Sequence, residues 1–221
     1  MNAFLETQSN IKYEFKENAD IPNLKNDSFI LVKVYSTSLN HIDTILLLSR
    51  IPIARWFRFS HYGIASDFSG KIVQIGEKVK NYKVGDEVFG TATGGALQEF
   101  ALTKESRIWK KPSLISHNEA CCFPVCFSTA HKSLTYNFGT NVLVVGASGG
   151  VGILSIQIAK YLGFKKVYGV CSSRNKELIL SFGVDEVLCY AQENYIDNCK
   201  EKFDLIFDNA HSAESPQFYN Y

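Results

Sequence analysis

Residues 141 to 163 read NVLVVGASGGVGILSIQIAKYLG, and this stretch constrains the fold more than any other in the chain. Val142-Leu143-Val144-Val145 is a short apolar run without polar alternation, as expected of a strand buried on both faces of a parallel sheet. The glycine-rich Gly146-Ala147-Ser148-Gly149-Gly150-Val151-Gly152 comes immediately after it, and from Ile153 apolar residues recur at helical spacing. Strand, glycine turn and helix in this order match a dinucleotide fingerprint of the form A-x-G-x-x-G, with Ala147 in the first glycine position. Glycines let the backbone approach a pyrophosphate closely, and the helix N-terminus offers N–H groups and the positive end of its dipole to an anion. Gly146, Ser148, Gly149, Gly150, Val151 and Gly152 are therefore the expected cofactor contacts. A purely structural tight turn could use the same glycines; the flanking strand and helix favour the nucleotide.

The rest of the composition narrows the class of protein. At 221 residues, with 46% apolar residues, 13% aromatics and a formal net charge of +1, the chain reads as an ordinary globular protein. Nothing in that charge favours nucleic acid as a partner. No window holds the roughly 18 uninterrupted apolar residues of a membrane span, and the opening Met1-Asn2-Ala3-Phe4-Leu5-Glu6 lacks the basic and apolar regions of a signal peptide. A cytoplasmic or otherwise reducing location is the expectation. The six cysteines, at 121, 122, 126, 171, 189 and 199, show no paired C-x-x-C spacing, so they read as small core residues rather than a zinc ribbon or disulfide frame.

Before the glycine turn the chain reads as a succession of short strands. Phe29 to Ser36, Ala65 to Gly76, the segment after Lys83-Val84-Gly85-Asp86, Ala96 to Thr103 and Arg107 to Lys110 are separated by glycine-rich or Asn/Asp-rich turns. Residues 44 to 59 are apolar and basic, and their pattern is ambiguous. Such a run of strands suggests a compact β barrel or sandwich, different in kind from the strand–turn–helix half of the chain. Ser116 to Ala120 and Thr129 to Phe138 read as helices in the transition. The organisation expected is α/β, with a β domain over residues 1–125 and a nucleotide-binding domain over 126–221.

Beyond the fingerprint helix, Lys166 to Cys171 is the second parallel strand. An NAD site would place Asp or Glu at its end to hold the ribose 2′-OH. This chain has Ser172-Ser173-Arg174-Asn175-Lys176 instead. Ser172, Ser173, Arg174 and Lys176 supply hydroxyls and positive charge, which suit a 2′-phosphate and point to NADPH. The alternative is that Arg174 and Lys176 are simply the solvated first turn of a helix. Lys202 to Asp208 reads as the fourth strand.

The succession Asn40-His41-Ile42-Asp43, Ser66-Asp67-Phe68-Ser69-Gly70, Val84 to Gly90, Glu119-Ala120 to Pro124, Ser128-Thr129-Ala130 and Gly146 to Gly152 resembles the medium-chain dehydrogenase/reductase superfamily in its zinc-independent quinone oxidoreductase branch. The resemblance runs from about Phe29 to Asp208. It implies a GroES-like β barrel and then a Rossmann parallel sheet, here partial, with a small-molecule substrate in the cleft between them. It implies that Tyr190 lines the 2′-phosphate pocket and that Thr129 lies near the nicotinamide. Zinc-dependent relatives have Cys where Asn40 stands and His-Glu where Ser66-Asp67 stand, and the four-cysteine zinc lobe has no counterpart here; no metal is expected. Asn40 is then the candidate catalytic residue, a polar group near the oxygen that gains charge; a plain turn residue after a strand would look the same. The tyrosine common in the family just after Asn40-x-x-Asp43 is replaced by Thr44-Ile45-Leu46.

The implied activity is hydride transfer from NADPH to a quinone or an α,β-unsaturated carbonyl. A family Rossmann sheet has six strands and this chain carries four of them, about 60 residues short at ~30 per βα unit. Two readings are open: a zinc-independent reductase, or a truncated non-catalytic remnant that binds NADPH or pairs with a full-length paralogue. Homo-oligomerisation is an alternative to such pairing.

Overall fold

The computed structural model describes residues 1–6, 13–24, 26–48, 64–135, 139–192, 195 and 201–210. The chain divides into two compact units, Met1–Val125 and Cys126–Tyr221. Most of the ambiguous 44–59 segment, Cys199 and the residues after 210 lie outside the described part.

The first unit is built on a five-stranded antiparallel sheet. Its strands are β3 (Phe29–Ser38), β4 (Asp67–Ile75), β5 (Glu87–Thr91), β6 (Phe100–Lys104) and β7 (Ile108–Lys110), in the order β6-β3-β4-β5-β7. A separate antiparallel hairpin, β1 (Ala3–Glu6) with β2 (Tyr13–Lys16), precedes it. Ile30, Val32, Phe68, Ile72, Val88, Ala101 and Ile108 form the core of the unit. Gly70 is required where it stands, because a Cβ there would come within 2.1 Å of the Lys33 carbonyl oxygen.

The pairing of β3 with β4 is what places the candidate catalytic residue. Val34 pairs Gly70 and Ser36 pairs Ser69, so Tyr35 is an extra residue, a bulge in β3. Bulges re-aim the strand beyond them. After this one Ser36 Oγ donates to Asn118 Oδ1 at 2.5 Å, Ser38 Oγ donates to the Cys121 carbonyl at 2.9 Å, and Ser38 pairs Asp67. Asn40 is thus two residues past the partner of Asp67. It directly precedes helix α1 (His41–Leu48); the expected loop after β3 is only two residues long.

Helix α2 (His117–Ala120) starts with a full capping box, in which Ser116 Oγ accepts from the Glu119 N–H and Glu119 accepts from the Ser116 N–H. His117 Nδ1 sits 2.7 Å from the buried Ser69 Oγ, and its Nε2 is 3.6 Å from Glu87, so one ring ties α2 to β4 and β5. Helix α3 (Pro124–Thr135) is next, starting five residues before the expected Thr129. Proline at a first helical position supports that early start.

In the second unit four parallel strands, β8 (Asn141–Val145), β9 (Lys166–Cys171), β10 (Glu186–Cys189) and β11 (Leu205–Asp208), lie in the order β10-β9-β8-β11. Counted along the unit this is 3-2-1-4, the order of a doubly wound nucleotide-binding sheet. Both faces of β8 are buried, as its unbroken apolar run requires. Val142 and Val144 pack with Ala147, Ile156, Ala159 and Ile179, while Leu143 and Val145 pack with Tyr168, Val170 and Tyr195. Helices α4 (Gly150–Tyr161) and α5 (Lys176–Ser181) come after β8 and β9. Strand β11 is half-buried along its length, and among the described residues no strand pairs with its outer edge. Cys121, Cys171 and Cys189 are buried, in line with a core role; Cys122 is exposed, which corrects that expectation for one thiol. It lies past the end of α2, where the chain turns back to solvent.

Candidate functional site

The glycine turn has the shape that its sequence demands. Gly146 takes φ +73°, open to glycine with little strain, and a Cβ there would come 3.0 Å from Asn209 Oδ1. At Gly152 a Cβ would come 2.3 Å from the Gly146 carbonyl oxygen, so the first turn of α4 lies directly against the loop backbone. Gly149 is the N-cap of α4 and provides no side-chain cap. The leading N–H groups of this 12-residue helix are oriented for an anion, as backbone donors at a helix start are.

The second strand brings its own groups to the same end of the sheet. Ser172 directly succeeds β9, and Ser173–Asn175 form a single 3-10 turn before α5. Ser148 Oγ, in the glycine turn, accepts a 3.0 Å hydrogen bond from Asn175 Nδ2. The Ser172 hydroxyl is buried and has no hydrogen-bond partner among the described residues. An orphaned buried hydroxyl beside a glycine cradle fits a polar ligand, since such a group otherwise bears its desolvation cost uncompensated. Arg174 and Lys176 are exposed, and neither has a carboxylate partner among the described residues. Tyr190 is also exposed, and its N–H donates to the Cys171 carbonyl at 3.3 Å, at the C-terminal ends of β9 and β10.

Thr129 comes from α3. Cys126 Sγ, on that helix, lies 3.0 Å from where a Cβ on Gly150 would stand, and Thr129 is one turn further along the same helix face. The cofactor residues expected from sequence therefore gather at the C-terminal ends of β8, β9 and β10 and on α3. Two contributors carry no sequence signal of their own: Asn175, which reads only as a spacer between two cations, and Asn209. The Asn209 side chain donates to the Val145 carbonyl at 2.7 Å and lies against Gly146, so β8 and β11 end side by side where strand order reverses.

Asn40 belongs to the first unit and to a different constellation. Its Nδ2 donates to Asp67 Oδ2 at 3.0 Å, and its backbone N–H donates to Asp43 Oδ2 at 2.7 Å. Asp43 reaches back from the first turn of α1, as the acidic half of a capping box does. Asp67 Oδ2 also accepts the Val125 N–H at 3.1 Å, and Ser66 Oγ lies 3.5 Å from Oδ1. The Asp67 side chain is wholly buried (0% exposed), which pushes its carboxyl up to about 6; donation from Val125 and Asn40 opposes the shift, and the charge of Asp43 adds to it. Burial likewise raises Asp43, against the pull of the Asn40 N–H. The Cys121 thiol nearby is driven up to about 11, first by burial, then by Cys122 and Asp67, and is no nucleophile at neutral pH. Asp67 enters the sequence reading only as part of the Ser66-Asp67-Phe68-Ser69-Gly70 motif, and its burial carries no local signal, since Asp67 to Gly70 are buried without alternation. Among the described residues no group of three or more His, Cys, Asp or Glu side chains could hold a metal ion.

Residues 26–113 match the alcohol dehydrogenase GroES-like domain family, and residues 150–219 match the zinc-binding dehydrogenase family. The chain is 37% identical over 175 residues to the chloroplastic quinone-oxidoreductase QR1 of Triphysaria versicolor, a match covering 73% of this chain and 52% of that protein. It is 30% identical over 212 residues to the chloroplastic NADPH-dependent alkenal/one oxidoreductase of Arabidopsis thaliana, covering 88% of this chain and 53% of the relative. The fold is shared with the quinone oxidoreductase from Coxiella burnetii at a TM-score of 0.85 and 24% identity, over 99% of this chain and 71% of that one. This chain spans about half the length of the curated relatives it matches.

Proposed function

The chain belongs to the medium-chain dehydrogenase/reductase superfamily, in its quinone-oxidoreductase-like branch, and from that premise we propose that it is a zinc-independent, NADPH-dependent reductase of quinones or α,β-unsaturated carbonyls. The observation that carries the reading is the end of β9, where a buried Ser172 hydroxyl without a partner among the described residues, Ser173 and Arg174 stand in place of a carboxylate. A carboxylate there would repel a 2′-phosphate; hydroxyls and a guanidinium attract one. Two relatives are named for quinone reduction and for NADPH-dependent alkenal/one reduction, and their names agree with this choice.

NADPH, when bound, supplies a hydride. The Gly146–Gly152 backbone and the α4 N-terminus would hold its pyrophosphate, and Ser172, Ser173, Arg174 and Lys176 its 2′-phosphate, with Tyr190 beside them. Thr129 contributes on the nicotinamide side. Asn40 offers an amide N–H to the substrate oxygen as negative charge develops on it, and solvent supplies the proton. An amide bonded to a carboxylate, beside Ser66, is a poor zinc site, since zinc is bound by thiolate, imidazole or carboxylate and not by a primary amide. The free thiols suit a reducing compartment, and the cytoplasm is the placement we propose, although both relatives are named as chloroplastic.

A second reading keeps the cofactor and drops turnover. The half-buried strand β11, whose outer edge pairs with no strand among the described residues, favours it, because such a parallel edge invites a second copy or a full-length paralogue. Loss of nicotinamide absorbance with a panel of quinones and enones, beside an NADPH binding titration, separates the two. Turnover supports the reductase; tight binding without turnover supports the second reading; absence of binding overturns both.

A further inference from the structure

We propose that Cys121 and Cys122 form a vicinal dithiol site for a trivalent organoarsenical, whose single arsenic atom both sulfurs bind. The site lies in the first unit, at the end of α2, and is independent of the reductase reading.

Consecutive helical residues point about 100° apart, so adjacent thiols do not ordinarily meet. The end of α2 brings this pair together. Cys121 keeps helical backbone angles (φ −69°, ψ −13°), and its N–H donates to the His117 carbonyl at 3.1 Å. The Cys122 N–H donates to the Glu119 carbonyl, also at 3.1 Å, three residues back instead of four. This tightened last turn leaves the Asn118 carbonyl to side chains. Helical side chains lean toward the N-terminus, and Asn118 stands three residues before Cys121 and four before Cys122. Both thiols therefore donate to that one oxygen, Cys121 Sγ at 3.2 Å and Cys122 Sγ at 3.3 Å. Ser36 on Asn118 Oδ1 and Ser38 on the Cys121 carbonyl hold the turn against β3. Cys121 is buried and Cys122 exposed, so a ligand reaches the pair through Cys122.

The presence of two thiols, and not more, decides the class of ligand. A structural zinc ion takes four protein ligands, and among the described residues no third His, Cys, Asp or Glu side chain joins the pair to hold a metal ion. A trivalent organoarsenical brings its own carbon substituent and has two positions left for sulfur. Protons favour the same choice. A metal binds thiolates and must release their protons, which is harder at Cys121, where burial first and then Cys122 drive the thiol up to about 11. An arsenical condenses with the thiols themselves. Two As–S bonds form, two As–OH bonds break, and each thiol proton leaves with a hydroxyl as water, with no electron transferred and no net proton released. Cys122 attaches first; Cys121, one residue away, then closes the ring at an effective concentration of about millimolar or more.

The test is intact-mass spectrometry of the native full chain after treatment with phenylarsine oxide. One phenylarsenic group in place of two hydrogens is expected, surviving an excess of mercaptoethanol and removed by dimercaptopropanol. Cys122→Ser, at an exposed position, is expected to keep the melting transition and to lower phenylarsine oxide affinity by about 100-fold or more, and Cys121→Ser to lower affinity likewise. Cys126→Ala is expected to keep the adduct, as is Cys189→Ala, which breaks the other neighbouring pair, Cys171 and Cys189 of the β9–β10 ladder. Affinity is expected to stay within about twofold from pH 6 to pH 8, whereas a ligand that displaces a proton into solution gains about tenfold per pH unit. The proposal is overturned by a wild type without the adduct, by an adduct that mercaptoethanol removes, or by one that survives in Cys122→Ser. Loss of the adduct in Cys126→Ala or Cys189→Ala overturns it as well, and so does a tenfold rise per pH unit.

Discussion

The hydroxyl of Ser148 accepts a 3.0 Å hydrogen bond from the side-chain amide of Asn175, 27 residues further along the chain. This bond stitches the turn after β8 to the turn after β9, and so joins the proposed pyrophosphate and 2′-phosphate halves of the cofactor site. A neutral hydrogen bond of this kind contributes about 0.5–1.5 kcal/mol.

Asn175→Ala should therefore weaken NADPH and NADH alike, by roughly three- to tenfold each. Fluorescence titration with the two cofactors is the check. A loss confined to NADPH would show instead that Asn175 meets the phosphate itself.

Arg174→Ala combined with Lys176→Ala should act on one cofactor. Charge-assisted contacts to a phosphate contribute about 1.5–3 kcal/mol, so NADPH affinity should fall by about 10- to 100-fold while NADH affinity stays within about twofold. Equal losses for the two would count against the 2′-phosphate assignment.

Two glycines of the same turn should respond differently to one added methyl group. At Gly152 the new Cβ meets the Gly146 carbonyl oxygen at 2.3 Å and the Ala147 backbone at 2.7 Å, and backbone cannot rotate aside. Gly152→Ala should destabilise the second unit by about 3 kcal/mol or more. Gly149 has ordinary backbone angles (φ −80°, ψ 167°) and its nearest neighbour at 3.4 Å, so Gly149→Ala should remain within about 1 kcal/mol of the wild type. Thermal or urea melts of both variants decide the matter.

Asp67 should impose a pH signature on stability. Its folded carboxyl titrates near 6 against an ordinary 3.8, chiefly because burial disfavours the charge. A raised folded value means that its contribution is fully present below about 3.8 and is lost as pH climbs through about 6. Asp67→Asn cannot ionise and lacks this loss. The difference in unfolding free energy between variant and wild type should therefore move in the variant's favour by about 2 kcal/mol between pH 4 and pH 7. A flat difference across that range in urea melts would refute the assignment of a buried, ionising carboxylate.

Legibility of the fold tracked the range of the interactions that build each part. Lys166 to Cys171 is the strand that its β-branched pattern announced, to the residue, and β8, the glycine turn and α4 are equally contiguous in sequence. The hairpin β1–β2 went unread. Four residues such as Ala3-Phe4-Leu5-Glu6 carry little local signal, and the strand is held by distant partners, Phe4 N–H on the Leu97 carbonyl and Glu99 N–H on the Asn2 carbonyl. The bulge at Tyr35 was equally silent, because it exists only as a mismatch between two strands.

The candidate sites divide along the same line. Sequence alone determined the glycine turn and the hydroxyl-and-cation group after β9, since the chemistry of each is complete within about seven contiguous residues. That Asn40 stands where zinc-binding relatives have a thiol came only through the family resemblance. Only tertiary structure decided what Asn40 faces. Its partner Asp67 is 27 residues away, and the antiparallel β3–β4 pairing, with irregularities at Val73 and Tyr35, brings the two together. Burial of that carboxylate, the property that pushes its titration up to about 6, is decided by everything packed around it. Local sequence can specify a turn; it takes the folded sheet to remove water from a charge.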